Sequence, residues 1–121
     1  MAEDNKINQF VAATALRNWD LDVDIANNGK EAIEFLCKKK YSLVLMDLQM
    51  PIMDGLQATL EIRSGSKPVI DREVPIIALT ANAFSEIKQQ VEQVGMDGYA
   101  TKPINQKQLN SILHKWINKV K

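Results

Sequence analysis

Apolar and polar positions along the chain keep two alternating rhythms. Residues 6–19 place Ile7, Phe10, Val11, Ala15 and Trp19 at helical spacing, which predicts a helix with one amphipathic face. Leu21, Val23 and Ile25 then alternate with Asp22 and Asp24, the period of a half-covered strand. Asn28-Gly29 punctuates the chain, and Asn28 is placed to cap a helix that buries Ala32, Ile33, Leu36 and Cys37. Lys38, Lys39 and Lys40 close that helix, where cations suit the dipole.

The next apolar run, Leu43-Val44-Leu45-Met46, is continuous, as expected of a parallel strand covered on both faces, and it ends on Asp47. A loop over 48–54 leads to a helix over 55–63, and Ser64-Gly65-Ser66-Lys67-Pro68 reads as a surface loop. Residues 74–79 predict a second buried strand, with Pro75 tolerable near its start, and it ends on Thr80. A helix over 84–94 stops at Gly95. A short strand over 99–101 precedes the break at Lys102-Pro103. The last helix, 105–120, is expected to bury Leu109, Ile112, Leu113, Trp116, Ile117 and Val120. Strands alternating with helices in this way predict right-handed βαβ units, hence an α/β fold with a doubly wound, flavodoxin-like parallel sheet. Ligands in such sheets bind outside the carboxyl ends of the strands. Asp47, Thr80 and Lys102 all fall there.

Composition narrows the class further. A chain of 121 residues suits one domain, 1–121. Lys+Arg and Asp+Glu balance at 15 each, so a broad basic footprint for nucleic acid is absent. No run approaches the roughly 18 apolar residues of a membrane span, and no basic-then-apolar leader opens the sequence. The single Cys37 has no intramolecular disulfide partner, and a cytoplasmic location is expected.

A carboxylate at the mouth of a sheet can act as a nucleophile toward phosphorus and form an acyl phosphate. Phosphoryl transfer then needs positioning and neutralisation of the equatorial oxygens. Mg²⁺ is the usual neutraliser, held by one or two carboxylates, and Glu3-Asp4 is an acidic pair just before the first helix. Lys102 offers a point charge for one phosphate oxygen, and Thr80 a hydroxyl donor for another. Taken singly, each has a plainer reading. Asp47 would be a turn or cap residue, Glu3-Asp4 a helix-start signal, Thr80 a cap and Lys102 a surface lysine. Together, at one edge of one sheet, they form a phosphate-handling constellation.

The stretch Met46-Asp47-Leu48-Gln49-Met50-Pro51-Ile52-Met53-Asp54-Gly55 resembles the phosphoacceptor loop of response regulator receiver domains, the CheY-like family. Ile76-Ile77-Ala78-Leu79-Thr80-Ala81-Asn82-Ala83 resembles that family's switch strand, and Gly98-Tyr99-Ala100-Thr101-Lys102-Pro103 its last strand and Lys-Pro turn. Glu3-Asp4-Asn5-Lys6-Ile7-Asn8 resembles the acidic opening. The closest likeness is to receivers of hybrid sensor histidine kinases, and it runs over nearly the whole chain.

The resemblance implies that Asp47 takes a phosphoryl group from a phosphohistidine on a sensor histidine kinase or a histidine phosphotransfer protein. It implies a Mg²⁺ site formed by Glu3, Asp4, Asp47 and the backbone carbonyl of Gln49. Thr80 and Tyr99 are then the switch pair, Lys102 contacts the phosphoryl group, and its bond to Pro103 is cis. Asp47 would also be the leaving group when water removes the phosphoryl group, with Gln49 and Asn82 flanking. The face around 84–94, Tyr99 and the final helix is the expected output surface.

The family's first strand has several apolar residues before the acidic pair, whereas only Met1 and Ala2 precede Glu3. In the order 2-1-3-4-5 that strand is internal. Its shortness predicts unpaired backbone groups in the middle of the sheet, relieved by closure to four strands or by segment exchange in a homodimer. The competing reading is a receiver-like interaction module that takes no phosphate. A dehalogenase-type aspartyl phosphatase wants a second acid where Gln49 stands, and a phosphotransfer protein using His114 would be a helical bundle.

Overall fold

The computed structural model describes residues 1–3, 6–17, 23–65, 67–80, 85–101 and 106–120. The elements in chain order are α1 (Lys6–Arg17), α2 (Gly29–Lys38), β1 (Val44–Asp47), α3 (Gly55–Ser64), β2 (Ile76–Thr80), α4 (Ser85–Gln93), β3 (Gly98–Thr101) and α5 (Gln106–Val120). Local chemistry sets several of these boundaries. Asn28 caps α2, its side chain accepting from the Glu31 N–H at 2.9 Å. Asp54 caps α3 in the same way, accepting from the Gln57 N–H at 2.8 Å. Each such cap satisfies one of the orphan donors of a helix start, a contribution of about 1 kcal/mol.

β1, β2 and β3 pair in parallel in that order. Every residue of β1 and β2 is buried, as the continuous apolar runs required. Two isolated bridges extend the sheet, Ala2 pairing with Met46 on one side and with Ala26 on the other. One row therefore crosses the whole sheet: Ala26, Ala2, Met46, Ala78, Tyr99. Counting the bridged segments as strands, this is the order 2-1-3-4-5. One face buries Met46, Ala78 and Ile76 against Ile33, Leu36, Ala58, Ile62 and Val91 of α2, α3 and α4. The other buries Leu45, Ile77 and Leu79 against Leu109 and Leu113 of α5.

Three expectations need correction. The first concerns the centre of the sheet, where residues 1–3 of the same chain hold the internal position. The Ala2 N–H donates to the Leu45 carbonyl at 2.8 Å, and the Asp47 N–H donates to the Ala2 carbonyl at 3.0 Å. On the other side the Glu3 N–H donates to the Ala26 carbonyl at 2.9 Å, and the Ala26 N–H to the Met1 carbonyl at 2.8 Å. Residues 1–3 thus hold the first strand's place in the sheet. Over these residues its backbone groups are paired, and neither four-strand closure nor an exchanged segment is needed to pair them.

The second concerns the strand expected around 21–25. Val23, Asp24 and Ile25 carry no strand pairing, and the single bridge is at Ala26. A ladder needs a partner of equal length, and residues 1–3 supply three positions. Leu21 and Asp22 lie outside the described residues.

The third concerns the face of α1. Ile7 and Phe10, expected inside, are 74% and 71% exposed, while Gln9 and Ala13 are buried. Gln9 turns inward because its amide finds the Glu3 carbonyl and Asn27 Oδ1. Periodicity places residues on a shared face without choosing which face the core receives. Cys37, also expected inside, is only partly buried. Trp19 and the side chains of Val11, Ala15, Trp116, Ile117 and Val120 lie outside what the structure describes.

Candidate functional site

The carboxyl edge of the sheet gathers the candidate residues because a parallel ladder puts equivalent strand ends level with one another. Asp47 is the last residue of β1 and is buried, 1% exposed. Ala2 pairs with Met46, so Glu3, 0% exposed, stands level with Asp47 on the neighbouring segment and on the same face of the pleat. Thr80, also buried, ends β2 one position beyond Leu79, the partner of Asp47. Thr101, the last residue of β3, pairs with Thr80 at this same edge. Lys102, Pro103, Asp4 and Asn82 themselves lie outside the described residues.

The loop after β1 holds the Asp47 carboxylate in place. The Gln49 N–H donates to Asp47 Oδ1 at 3.1 Å, and the Gln49 side chain is exposed. The Leu48 N–H donates to the Leu79 carbonyl at 3.0 Å, and the Gly55 N–H to the Leu48 carbonyl at 3.2 Å. Gly55 is required here by close approach, since a Cβ would collide with the Asp47 carbonyl oxygen. Ile52, 80% exposed, has φ +69°, a left-handed conformation that costs a β-branched residue about 1–3 kcal/mol. That strain sits in the loop between the nucleophile candidate and α3.

Sequence reasoning missed a polar girdle beside the acids. Asn27 accepts at Oδ1 from Lys6 Nζ at 3.1 Å and from Gln9 Nε2 at 3.0 Å. Glu31 Oε1 accepts from the Asn27 N–H at 3.1 Å and from Asn27 Nδ2 at 3.2 Å. The girdle fixes the first turn of α1 beside Glu3. Ordinary polar residues spaced 4, 18 and 21 positions apart along the chain give no local signal that they meet.

Tyr99 lies in register with Ala78 on β3 and is 39% exposed. It borders a cavity of about 180 Å³ with Ile77, Ile112 and Lys115. His114 is exposed on α5, away from this edge. Among the described residues no three His, Cys, Asp or Glu side chains cluster. The described acids at the site are Glu3 and Asp47, a hard-oxygen pair of the chemistry that Mg²⁺ selects. No helix among the described residues is long and apolar enough to cross a membrane.

Among the described residues, a parallel sheet wrapped by five helices, with buried acids and a hydroxyl at its carboxyl edge, defines a class of phosphoacceptor-type α/β domains. The chain matches the family described as the response regulator receiver domain over residues 1–114. It is 38% identical over 145 residues to Probable histidine kinase 1 of Oryza sativa subsp. indica, covering 97% of this chain and 15% of that protein. It is 40% identical over 114 residues to the Sensor protein GacS of Pseudomonas syringae pv. syringae, covering 94% of this chain and 13% of that protein. The chain therefore spans a small part of these curated relatives.

Among solved structures it resembles the receiver domain of a sensor histidine kinase from Pseudomonas aeruginosa PAO1, solved with a magnesium ion in the active-site cleft. The TM-score is 0.84 at 38% identity, over 97% of this chain and 93% of that one. It also resembles the co-crystal of the Saccharomyces cerevisiae phosphotransfer protein Ypd1 with the receiver domain of Ssk1. There the TM-score is 0.86 at 34% identity, over 95% and 84% of the two chains. The chain belongs to the receiver-domain family of two-component signalling.

Proposed function

We propose that this receiver domain accepts a phosphoryl group on Asp47 from the phosphohistidine of a sensor histidine kinase or a histidine phosphotransfer protein. The observation that carries the reading is the level placement of two buried carboxylates, Glu3 and Asp47, at the carboxyl edge of the sheet. A carboxylate oxygen of Asp47 bonds to phosphorus as the phosphorus–nitrogen bond breaks, its electron pair leaving on the imidazole. The Gln49 N–H on Oδ1 orients that carboxylate. Glu3, Asp4, Asp47 and the Gln49 carbonyl would hold Mg²⁺, which would supply neutralisation of the phosphoryl oxygens; a relative with magnesium in its active-site cleft supports a metal here. Thr80 and Lys102 take the remaining oxygens. Hydrolysis reverses the roles: water attacks phosphorus and the Asp47 carboxylate leaves, flanked by Gln49 and Asn82.

The new negative charge favours the arrangement in which Thr80 donates to it, and Tyr99 follows into the space beside β3. The phosphohistidine donor is read as docking over Ile7 and Phe10, the exposed apolar pair on the first two turns of α1, which the girdle holds beside Glu3.

Intact mass after incubation with acetyl phosphate and Mg²⁺ tests this. One phosphoryl adduct is expected, absent in Asp47→Asn and without metal. Phe10→Ala should slow transfer from a phosphorylated phosphotransfer domain about tenfold or more and leave acetyl phosphate labelling unchanged. A folded wild-type chain that takes no adduct overturns the reading and leaves an interaction module.

A further inference from the structure

The groove along α2, bordered at one end by Met53 of the loop that follows Asp47, has the character of a binding site. Lys30, Ile33, Glu34, Cys37 and Lys38 line it from α2, facing Met53 of the loop after β1 and Lys67 after α3. Their spacing, i, i+3, i+4, i+7 and i+8, is that of one helical face, so the groove runs about 12 Å along the helix. Its volume is about 330 Å³, room for one or two large apolar side chains. The floor is apolar, with Ile33 buried and Cys37 and Met53 partly so, and the rim is charged.

Charge at the rim is one-sided. Three ammonium groups face a single carboxylate, in a chain whose acidic and basic residues balance overall. Glu34 stands four residues from both Lys30 and Lys38, the spacing of intrahelical pairs. Among the described residues, however, no ion pair within 4.0 Å engages Lys30, Glu34, Lys38 or Lys67. The walls are fixed in advance. The Gly29 N–H donates to the Met53 carbonyl at 2.9 Å, and a Cβ on Gly29 would meet that oxygen at 2.7 Å and Ala58 Cβ at 2.9 Å. A preformed apolar trough with a positive rim suits a ligand that brings both an apolar anchor and negative charge.

We infer that the α2 groove docks an acidic segment of a partner protein, its apolar side chains seated on Ile33, Cys37 and Met53 and its carboxylates on Lys30, Lys38 and Lys67. It uses none of the residues placed at the phosphoacceptor site.

The test titrates the full chain, labelled with ¹⁵N, with a twelve-residue peptide of glutamates carrying three leucines at helical spacing. Saturable amide shifts confined to 30–38, Met53 and Lys67 are expected. The exposed pair Lys30→Glu and Lys38→Glu should weaken binding at least tenfold, Glu34→Lys should strengthen it severalfold, and an all-glutamate peptide should bind at least tenfold more weakly. Shifts that never saturate, that map to α1 or α5, or that ignore loss of the leucines overturn the proposal. So does engagement of these residues by anionic phospholipid vesicles but not by the peptide, which would assign the groove to a membrane surface.

Discussion

The two halves of the sheet are built on the same pattern and held by different means. From β1 to β3 the backbone forms full ladders of four registered pairs at each junction. Toward Ala26 the sheet consists of two bridges at one residue, Ala2. Each half also carries a polar tie at its amino edge, opposite the candidate site. Under the full half, Arg63 ties together two loops. Its Nε donates to the Gly95 carbonyl at 2.9 Å, its guanidinium also reaches the Arg72 carbonyl, and it pairs with Asp97 at 2.9 Å. Asp97 Oδ2 in turn accepts from the Ile76 N–H at 2.9 Å. Under the thin half, the Met1 amine donates to the Asp24 carbonyl at 2.7 Å and Tyr41 donates to the Asp24 carboxylate at 2.5 Å. Lys39 lies 3.6 Å from that carboxylate and over the Tyr41 ring. Where backbone pairing is complete the tie is an addition. Where it is confined to residues 1–3, the tie carries the pairing on to Asp24 and adds a side-chain anchor.

The largest expected contrast comes from removing packing on each side. Ile77, 1% exposed in the middle of β2, should cost about 2–5 kcal/mol on substitution by Ala. Val23→Ala, at a half-buried position that packs on the same face, should cost under about 1 kcal/mol. Urea denaturation of both variants measures this. Equal losses would show that the thin half is as tightly packed as the ladders.

The next effect is one of pH. Burial lowers the pKa of the Met1 amine from 8.0 to about 6, against a smaller opposing pull from the Asp24 carboxylate. The unfolded chain therefore holds more protons than the folded one between those two values, and stability rises with pH across the window. The gain is complete above about pH 8 and is lost as pH falls through about 6. Two pKa units correspond to about 2–3 kcal/mol. Acetylating the amine should remove this slope from a series of denaturation curves; a slope that survives would place its origin elsewhere.

These two regions also show what sequence patterns carry and what they leave out. The continuous run ending on Asp47 and the 74–79 run ending on Thr80 announced buried parallel strands, because full burial on both faces leaves no polar position to alternate. The Leu21-Val23-Ile25 alternation announced a strand equally clearly, yet strand formation there depends on how long residues 1–3 can accompany it. That is a property of the partner. The direction of α1 was hidden for a similar reason. Ile7 and Phe10 look like core residues until Gln9 finds a buried carbonyl that no local rule places beside it. The alignment of Glu3 with Asp47 followed from fold class, whereas Asn27 and Glu31 beside them follow only from tertiary geometry.

The tie beneath the full half should matter less than the packing above it. Arg63→Ala removes donors to two carbonyls and the partner of Asp97. Those groups lie near the surface, where water replaces part of what is lost, so a loss of about 1–3 kcal/mol is expected. Hydrogen exchange should quicken first in 94–98, the segment that Arg63 anchors. Uniform acceleration across the sheet would mean that the two halves unfold only together.

The smallest effect is expected at Tyr41. Its hydroxyl bond is the first cause holding the Asp24 carboxyl below the ordinary range, ahead of the Lys39 charge, and burial together with Asp24 pushes the Tyr41 phenol up to about 12. Tyr41→Phe keeps the ring under Lys39 and removes only the donor. Asp24 is left partly open to water, so the stability cost should be about 1 kcal/mol. The Asp24 pKa, followed by carboxyl NMR, should move up toward its usual value of 3.8. A variant that leaves Asp24 unmoved would mean that Lys39 and the Met1 amine hold the carboxylate without Tyr41, making the thin half's tie an ion pair at the surface. A clear upward shift would make it a hydrogen-bonded unit, sensitive to geometry and indifferent to salt.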